Sequence, residues 1–212
     1  MYINRMFEER RVDVMHNLIK SHPLGAITVH GSNGITADHI PLLLDTEAGP
    51  YGTLTAHVAR TNRFYEGVPS DQQVLVVFKG ADAYVSPTWL ANRKTHGRVQ
   101  PSWAYAVVHA YCTMSVINGR QWMEEHLEKS VDFFEQDMAE PWSLSEPPAE
   151  FVNQLYNHLT GIELKINSLV GKWQLMQQRL PNDRLSIANG MREQNLPQSH
   201  QVADLIEQTI NS

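Results

Sequence analysis

The sequence predicts a mainly β, antiparallel chain with flanking helices, an α+β fold whose strands dominate the first half. Three observations predict it. Short stretches of alternating apolar and polar residues recur from Leu24 to Ile117, with glycine- and proline-containing turns between them. From Gly119 the apolar period lengthens to that of a helix. At Gly161 the alternation returns.

Taken in order, Phe7 to Lys20 is expected to form a helix burying Met15, Leu18 and Ile19, ended by His22-Pro23 because the residue before a proline avoids helical geometry. Leu24 to His30 and Ile35 to Asp45 read as the arms of a hairpin about Gly31-Ser32-Asn33-Gly34. Pro41 lacks a ladder donor and marks an edge or a bulge in the second arm. Gly52 to Ala59, Val74 to Lys79, Ala83 to Val85 and Trp103 to Ile117 continue the β pattern, punctuated at Gly49-Pro50, 67–70 and Gly80. In the longest of these, Ala104, Ala106, Val108, Ala110, Cys112 and Met114 share one face, and Tyr105, Val107, His109, Tyr111 and Thr113 the other; both are expected to be covered. Met123, Leu127, Val131, Phe134 and Met138 are spaced as one stripe of a helix ending before Pro141, and Glu150 to Leu159 forms a second helix. The strand from Gly161 carries Ile162, Leu164 and Ile166 on one face, and its return after two helices would close a barrel. Two tail helices follow, Asn182 to Glu193 and Ser199 to Ile210, with Ser199 as a cap and Val202, Leu205, Ile206 and Ile210 packing on the barrel or on a partner subunit. The expected division is a domain over 1–180 with a helical insertion about 119–160, then a helical tail over 181–212.

Charge and composition exclude several classes. An apolar content of 42% in 212 residues supplies one sizeable core, while 23 acids against 17 Lys and Arg disfavour non-specific binding to nucleic acid or anionic membrane. Any DNA contact would have to be a local patch. The last tail helix carries Asp204 and Glu207 without Lys or Arg, the wrong sign for reading a DNA groove. The N-terminal charges lead into no apolar run, and none reaches the ~18 residues of a membrane helix, so a cytoplasmic protein without membrane contact is expected. Cys112, the single cysteine, lies mid-strand and reads as a small buried hydrophobe. Zinc-protease, paired-cysteine, Gly-x-Ser-x-Gly, P-loop and dinucleotide-glycine patterns are all missing, and no metal site is expected. His30 and His39 flank the hairpin turn, where polar residues of a half-exposed hairpin are the ordinary reading.

Two strand ends carry cations. The stretch GTLTAHVARTN ends in Arg60 and Asn62, and LVGKWQLMQQR supplies Lys172 and Arg179 with the amides of Gln177 and Gln178. A phosphate dianion in a partly dry site needs at least two cations plus neutral donors, which these two ends would provide if they met. Solvated surface charge at strand ends explains the same residues equally well.

The stretches HPLG (22–25), ADHIPLLLD (37–45), HVARTN (57–62), AYVSPTW (83–89), PSWAYAVVHAY (101–111) and GKWQLMQQR (171–179) occur in this order, and through them the whole chain resembles the PaiB family of FMN-binding negative transcriptional regulators, relatives of the pyridoxamine-phosphate-oxidase-like proteins. The resemblance implies an FMN-binding split β-barrel, antiparallel and Greek-key-like, and a homodimer holding FMN in a cleft at the subunit interface. It places the phosphate side on His57, Ala59, Arg60, Asn62, Lys172 and Gln177, with Arg179 nearby. The flavin ring would lie along His39, Ile40, Pro41 and Thr55, bordered by Ser86, Trp89, Ser102, Trp103 and Tyr105. One departure from the family pattern is Met176, which stands where a small hydroxyl is usual. Two functions follow from the resemblance: a flavin-holding repressor, or an FMN-dependent oxidoreductase with His39, His109 or Tyr105 as proton partners. A flavin store without chemistry is a third.

Overall fold

A computed structural model describes every residue except Asn33, Asp71, Ala91, Asn92, Asn211 and Ser212. In chain order the elements are β1 (Glu8–Glu9), α1 (Val12–Ser21), β2 (Leu24–Gly31), β3 (Gly34–Pro41), β4 (Leu43–Asp45), β5 (Thr53–Ala59), β6 (Gln73–Val85), α2 (Arg93–His96), β7 (Ser102–Ile117), α3 (Arg120–Glu135), α4 (Ala149–Asn157), β8 (Leu159–Gln174), α5 (Pro181–Arg192) and α6 (Pro197–Gln208). The strands form one sheet in the order β3-β2-β6-β7-β8-β5-β4, with β1 added on β8. Every pairing whose register is defined is antiparallel. β8, distant in sequence, sits between β7 and β5, and the two ends of the order, β3 and β4, are neighbours in the chain across Leu42. None of the described helices is long and apolar enough to cross a membrane.

The chain divides into two compact units, the first of residues 1–18, 79–108 and 170–212, the second of 19–78 and 109–169. Strands β6, β7 and β8 contribute residues to both. In the second unit the β2–β3 hairpin runs from Leu24 opposite Pro41 to Gly31 opposite Gly34, and β5 lies along the first half of β8 from Thr53 opposite Lys165 to Ala59 opposite Leu159. Its inward residues, among them Ile27, Leu54, Ala56, Phe78, Ile162 and Leu164, are fully buried, as period-2 alternation requires. In the first unit α5 and α6 lay Ile187, Met191, Val202 and Ile206 against Ala81, Ala83, Val85 and Ala104 of β6 and β7. The tail is part of that core.

Several boundaries differ from the sequence reading, each for a local reason. α1 begins at Val12 and not at Phe7, because Glu8 and Glu9 pair with Lys172 and Gly171 of β8, and the Glu9 carboxylate accepts the Arg11 amide and guanidinium at the helix entrance. The arm 35–45 breaks at Leu42, whose side chain is buried and whose N–H donates to the Pro23 carbonyl. Gly80 does not interrupt β6: a Cβ there would stand 3.2 Å from Leu18 Cδ1, so the glycine lets α1 pack closely on the strand. Leu159 opens β8 and does not close α4, since its backbone pairs with Ala59. α6 starts at Pro197, and Ser199 is a buried first-turn residue without a capping bond. On α3 the buried face is Met123, His126, Leu127 and Ser130, whereas Phe134 and Met138 of the expected stripe are exposed. One face of β7 is buried as expected; on the other Val107 is buried, while Tyr105, His109, Tyr111 and Thr113 are half-buried. The hairpin turn includes Asn33, outside the described residues.

Candidate functional site

β5 alternates Leu54, Ala56 and Val58 into the core, so Thr55 and His57 emerge on its other face and Arg60 and Asn62 follow at its exit. The Arg60 amide donates to the His158 carbonyl at 2.7 Å and its guanidinium reaches the Leu159 carbonyl at 3.3 Å. The guanidinium borders a small cavity of about 80 Å³ that Arg120, Tyr156 and Asn157 also line. Arg120 itself lies over the Tyr156 ring, 4.1 Å from its centroid.

Asn62 is occupied. Its amide donates to Asp38 of β3 and its carbonyl accepts the Phe64 N–H. The other Asp38 oxygen takes the His39 backbone N–H, and Pro41 has none to give, so two of the backbone positions expected to meet a flavin edge offer no free amide. His30 stands opposite Ile35 and His39 opposite Ala26, which leaves the two histidines four ladder positions apart.

His57 meets a residue that the sequence reading passed over. Its Nδ1 lies 3.0 Å from His126 Nε2, and the His126 ring stacks on Trp122 with centroids 4.9 Å apart. Ser130 adds a hydroxyl to the same corner and donates to the His126 carbonyl. Burial, the nearby His57 and Lys129 push His126 down to about 4, and burial lowers His57 as well. Both are therefore neutral near neutral pH, one donating and one accepting. Trp122, His126 and Ser130 recur every four residues on α3; the apolar stripe beside them drew the sequence reading away.

The late cluster belongs to the first unit. Lys172 is only 9% exposed, and its ammonium sits 5.1 Å from the centroid of the Tyr105 ring. Among the described residues no carboxylate forms an ion pair with it; the carboxylate of Glu8, its backbone partner on β1, is taken by Arg10. A buried cation without a counter-ion is costly, and a ring face offsets only part of that cost. Beyond β8, Gln177 folds back on its own loop: its carbonyl accepts the Leu175 N–H and its amide donates to the Trp173 carbonyl at 2.6 Å. Arg179 follows, half-buried, its backbone closing the turn on Met176. Met176 takes a left-handed φ of 65° and buries its side chain in the core with Leu175 and Ile187, so the departure from the family pattern points inward. Ser86 caps the 3₁₀ turn Pro87–Trp89, and the half-exposed Trp103 donates its indole N–H to Asp82; both line one groove.

β5 and β8 are antiparallel, so Arg60 follows a strand end that lies against Leu159, the opening of β8.

A family described as a putative FMN-binding domain matches residues 1–168. The chain belongs to this FMN-binding family. Among its relatives, the protease synthase and sporulation protein PAI 2 of Bacillus subtilis is 22% identical over 99% of this chain and 98% of its own. The uncharacterized protein AN0679 of Emericella nidulans is 25% identical over 98% and 97%. In fold, this FMN-binding protein is similar to the flavocytochrome Anf3 of Azotobacter vinelandii, with a TM-score of 0.60 at 11% identity over 81% of this chain and 72% of the other. It is also similar to an FAD and heme binding protein of Mycobacterium smegmatis, with a TM-score of 0.53 at 13% identity over 79% and 73%. The fold class is the antiparallel α+β FMN-binding split barrel that the resemblance implied, and FMN is the cofactor of the family. The donor set fits that cofactor at Lys172, a buried cation lacking an anion, better than at Asn62, whose amide already serves a carboxylate.

Proposed function

We propose that this chain is a PaiB-type regulatory flavoprotein that holds FMN between two copies of itself. The observation that carries the reading is the buried, unneutralised ammonium of Lys172, which a phosphate dianion would complete. Arg179, half-buried at the end of the same loop, is the second cation of this reading, and Gln177 holds that loop in shape through its bonds to 173–175. In this reading the Arg60 that completes the clamp comes from the other copy. His39, Ile40, Pro41 and Thr55 remain the surface for the ring, with Ile40 buried beneath it. Bound FMN supplies one- and two-electron redox chemistry; the protein's part is to bind, orient and shield it.

Gene repression, in this reading, does not run through α6 in a DNA groove. Asp204 and Glu207 of that helix both engage the guanidinium of Arg192 at 2.7 Å, and the helix itself carries no Lys or Arg. Regulation then passes through another protein or through a surface made by the dimer. The test is an absorption spectrum of the purified protein after FMN addition and gel filtration. Flavin bands are expected in the parent protein and lost in Arg60→Ala and Lys172→Met. Flavin-free protein after saturation with FMN overturns the reading. Steady oxidation of NADH or NADPH by the holoprotein, without operator binding, would favour the oxidoreductase instead.

A further inference from the structure

The apolar stripe of α3 runs on past the part of it that the chain buries. Met123 and Leu127 are in the core, but Phe134, Met138 and Trp142, at the end of the helix and in the connection after it, are between 39% and 56% exposed. They are held at one corner of the second unit. Phe133 braces Phe134 edge to face with centroids 5.1 Å apart, the Met138 N–H donates to the Glu135 carbonyl at 2.9 Å, and the Trp142 N–H donates to the Glu135 carboxylate at 3.0 Å. Next to Trp142, residues 143–145 lie along α3 and leave a cleft of about 260 Å³ lined by Val131 and Leu144. Glu128 and Asp132, one helical turn apart, stand on its α3 side, and Ser143 and Ser145 on the other. Three large apolar side chains fixed at one exposed corner mark a contact surface.

Charge decides what covers it. Residues 120–150 hold nine of the 23 carboxylates but two of the 17 Lys and Arg, so this stretch alone carries the net charge of -6 and one unit more. One of those two, Arg120, is paired with Glu124 at the start of α3. Glu128 and Asp132 are exposed, and among the described residues neither forms an ion pair. Nucleic acid or an anionic membrane would be repelled by these carboxylates. A second copy docked through the same patch about a two-fold axis would set acid against acid. A polypeptide carrying Lys or Arg beside apolar residues meets neither penalty. Its cations find Glu128 and Asp132 unpaired, Trp142 offers a ring face to a guanidinium, and Phe134 and the flexible Met138 are covered by its apolar side chains.

We propose that this corner of the second unit is the docking surface for a basic amphipathic segment of another protein, its cations toward Glu128 and Asp132 and its apolar side toward Phe134, Met138 and Trp142. The inference goes beyond the flavin reading and does not rest on it, because no residue of the corner belongs to the set expected around FMN.

The test is fluorescence anisotropy of the full chain with three labelled peptides of equal length: one of leucine and lysine in helical amphipathic order, one with serine in place of leucine, and one with glutamate in place of lysine. The leucine–lysine peptide is expected to bind about tenfold or more tightly than the serine–lysine one, to weaken as salt rises, and to outcompete the leucine–glutamate peptide entirely. Phe134→Ser with Met138→Ser, and separately Glu128→Gln with Asp132→Asn, change only exposed side chains, so the fold is kept; each pair should weaken the leucine–lysine peptide about fivefold or more. Equal binding of the serine–lysine peptide would reduce the surface to unspecific charge and overturn the proposal. Unchanged binding by either pair of variants, or saturable binding of the leucine–glutamate peptide, would overturn it too. So would a smaller assembly in sedimentation for Phe134→Ser with Met138→Ser than for the parent, which would give the face to a second copy. Peptide binding by a protein that takes up no FMN would leave this inference standing and remove the flavin one.

Discussion

Lys172 and His126 are two buried titratable side chains with opposite meanings. A lysine 9% exposed with no carboxylate partner among the described residues costs the free protein stability, and replacing such a group by an apolar one of similar length is neutral or stabilising. Lys172→Met is therefore expected to keep or raise the melting temperature while weakening FMN binding by about ten- to a hundredfold, the scale of charge-assisted hydrogen bonds. A parallel loss of stability and flavin would show that the lysine is structural. His126 works the other way. Its folded value, about 4, lies below the ordinary 6.5, so the unfolded chain takes up the proton first as pH falls. Its contribution is complete above about pH 6.5 and is lost between there and about pH 4, on the order of 3 kcal/mol, with His57 shifted in the same direction. Denaturant midpoints measured across that window should fall in the parent and change less in His126→Gln. A flat profile in the parent would contradict the burial of this pair.

At the scale of elements, packing is governed by where a side chain is missing. Gly161 on β8 lies under the Trp122 ring of α3, and a Cβ there would overlap the indole. Gly161→Ala should destabilise by roughly 1–3 kcal/mol, because Trp122 and the His126 stacked on it must shift together. An unchanged unfolding free energy would mean that the α3–β8 contact is looser than described. Most strands and helices here were legible from alternation and period, since burial of one face imposes that pattern on the sequence. Boundaries were not, wherever a distant partner set them. Glu8 and Glu9 are good helix formers that instead pair with β8, and Leu159 fits the apolar face of α4 yet belongs to a ladder with β5. Gly80 looked like a break because its reason for being glycine lies in α1.

At the scale of the whole molecule, the question is how many chains complete one flavin site. If Arg60 and Lys172 act from different copies, a mixture of Arg60→Ala and Lys172→Met chains, each unable to hold FMN alone, forms mixed dimers with one intact site. Equal mixing after dissociation and reassembly should restore flavin to roughly a quarter of the sites. No recovery, with mixed dimers present, would place both residues in one chain's site or remove one of them from it. Of the residues expected around FMN, Lys172 lies buried over the Tyr105 ring, Asn62 and Gln177 are committed to Asp38 and to their own loop, and Ser86 and Trp103 line a groove beside Asp82. Those outcomes depend on neighbours that no local pattern names.

By itself the sequence determined the fold class, the family and the inward faces of most strands, because each of these is written in residue type and spacing along the chain. Tertiary structure alone decided which polar groups are spent and which remain available: the His57–His126 pair, the Asn62–Asp38 bond and the Lys172 ammonium over Tyr105 all join residues far apart in sequence. The physical reason is that a hydrogen bond or an ion pair is satisfied by whatever group lies within about 3 Å, and only the folded chain sets that neighbour.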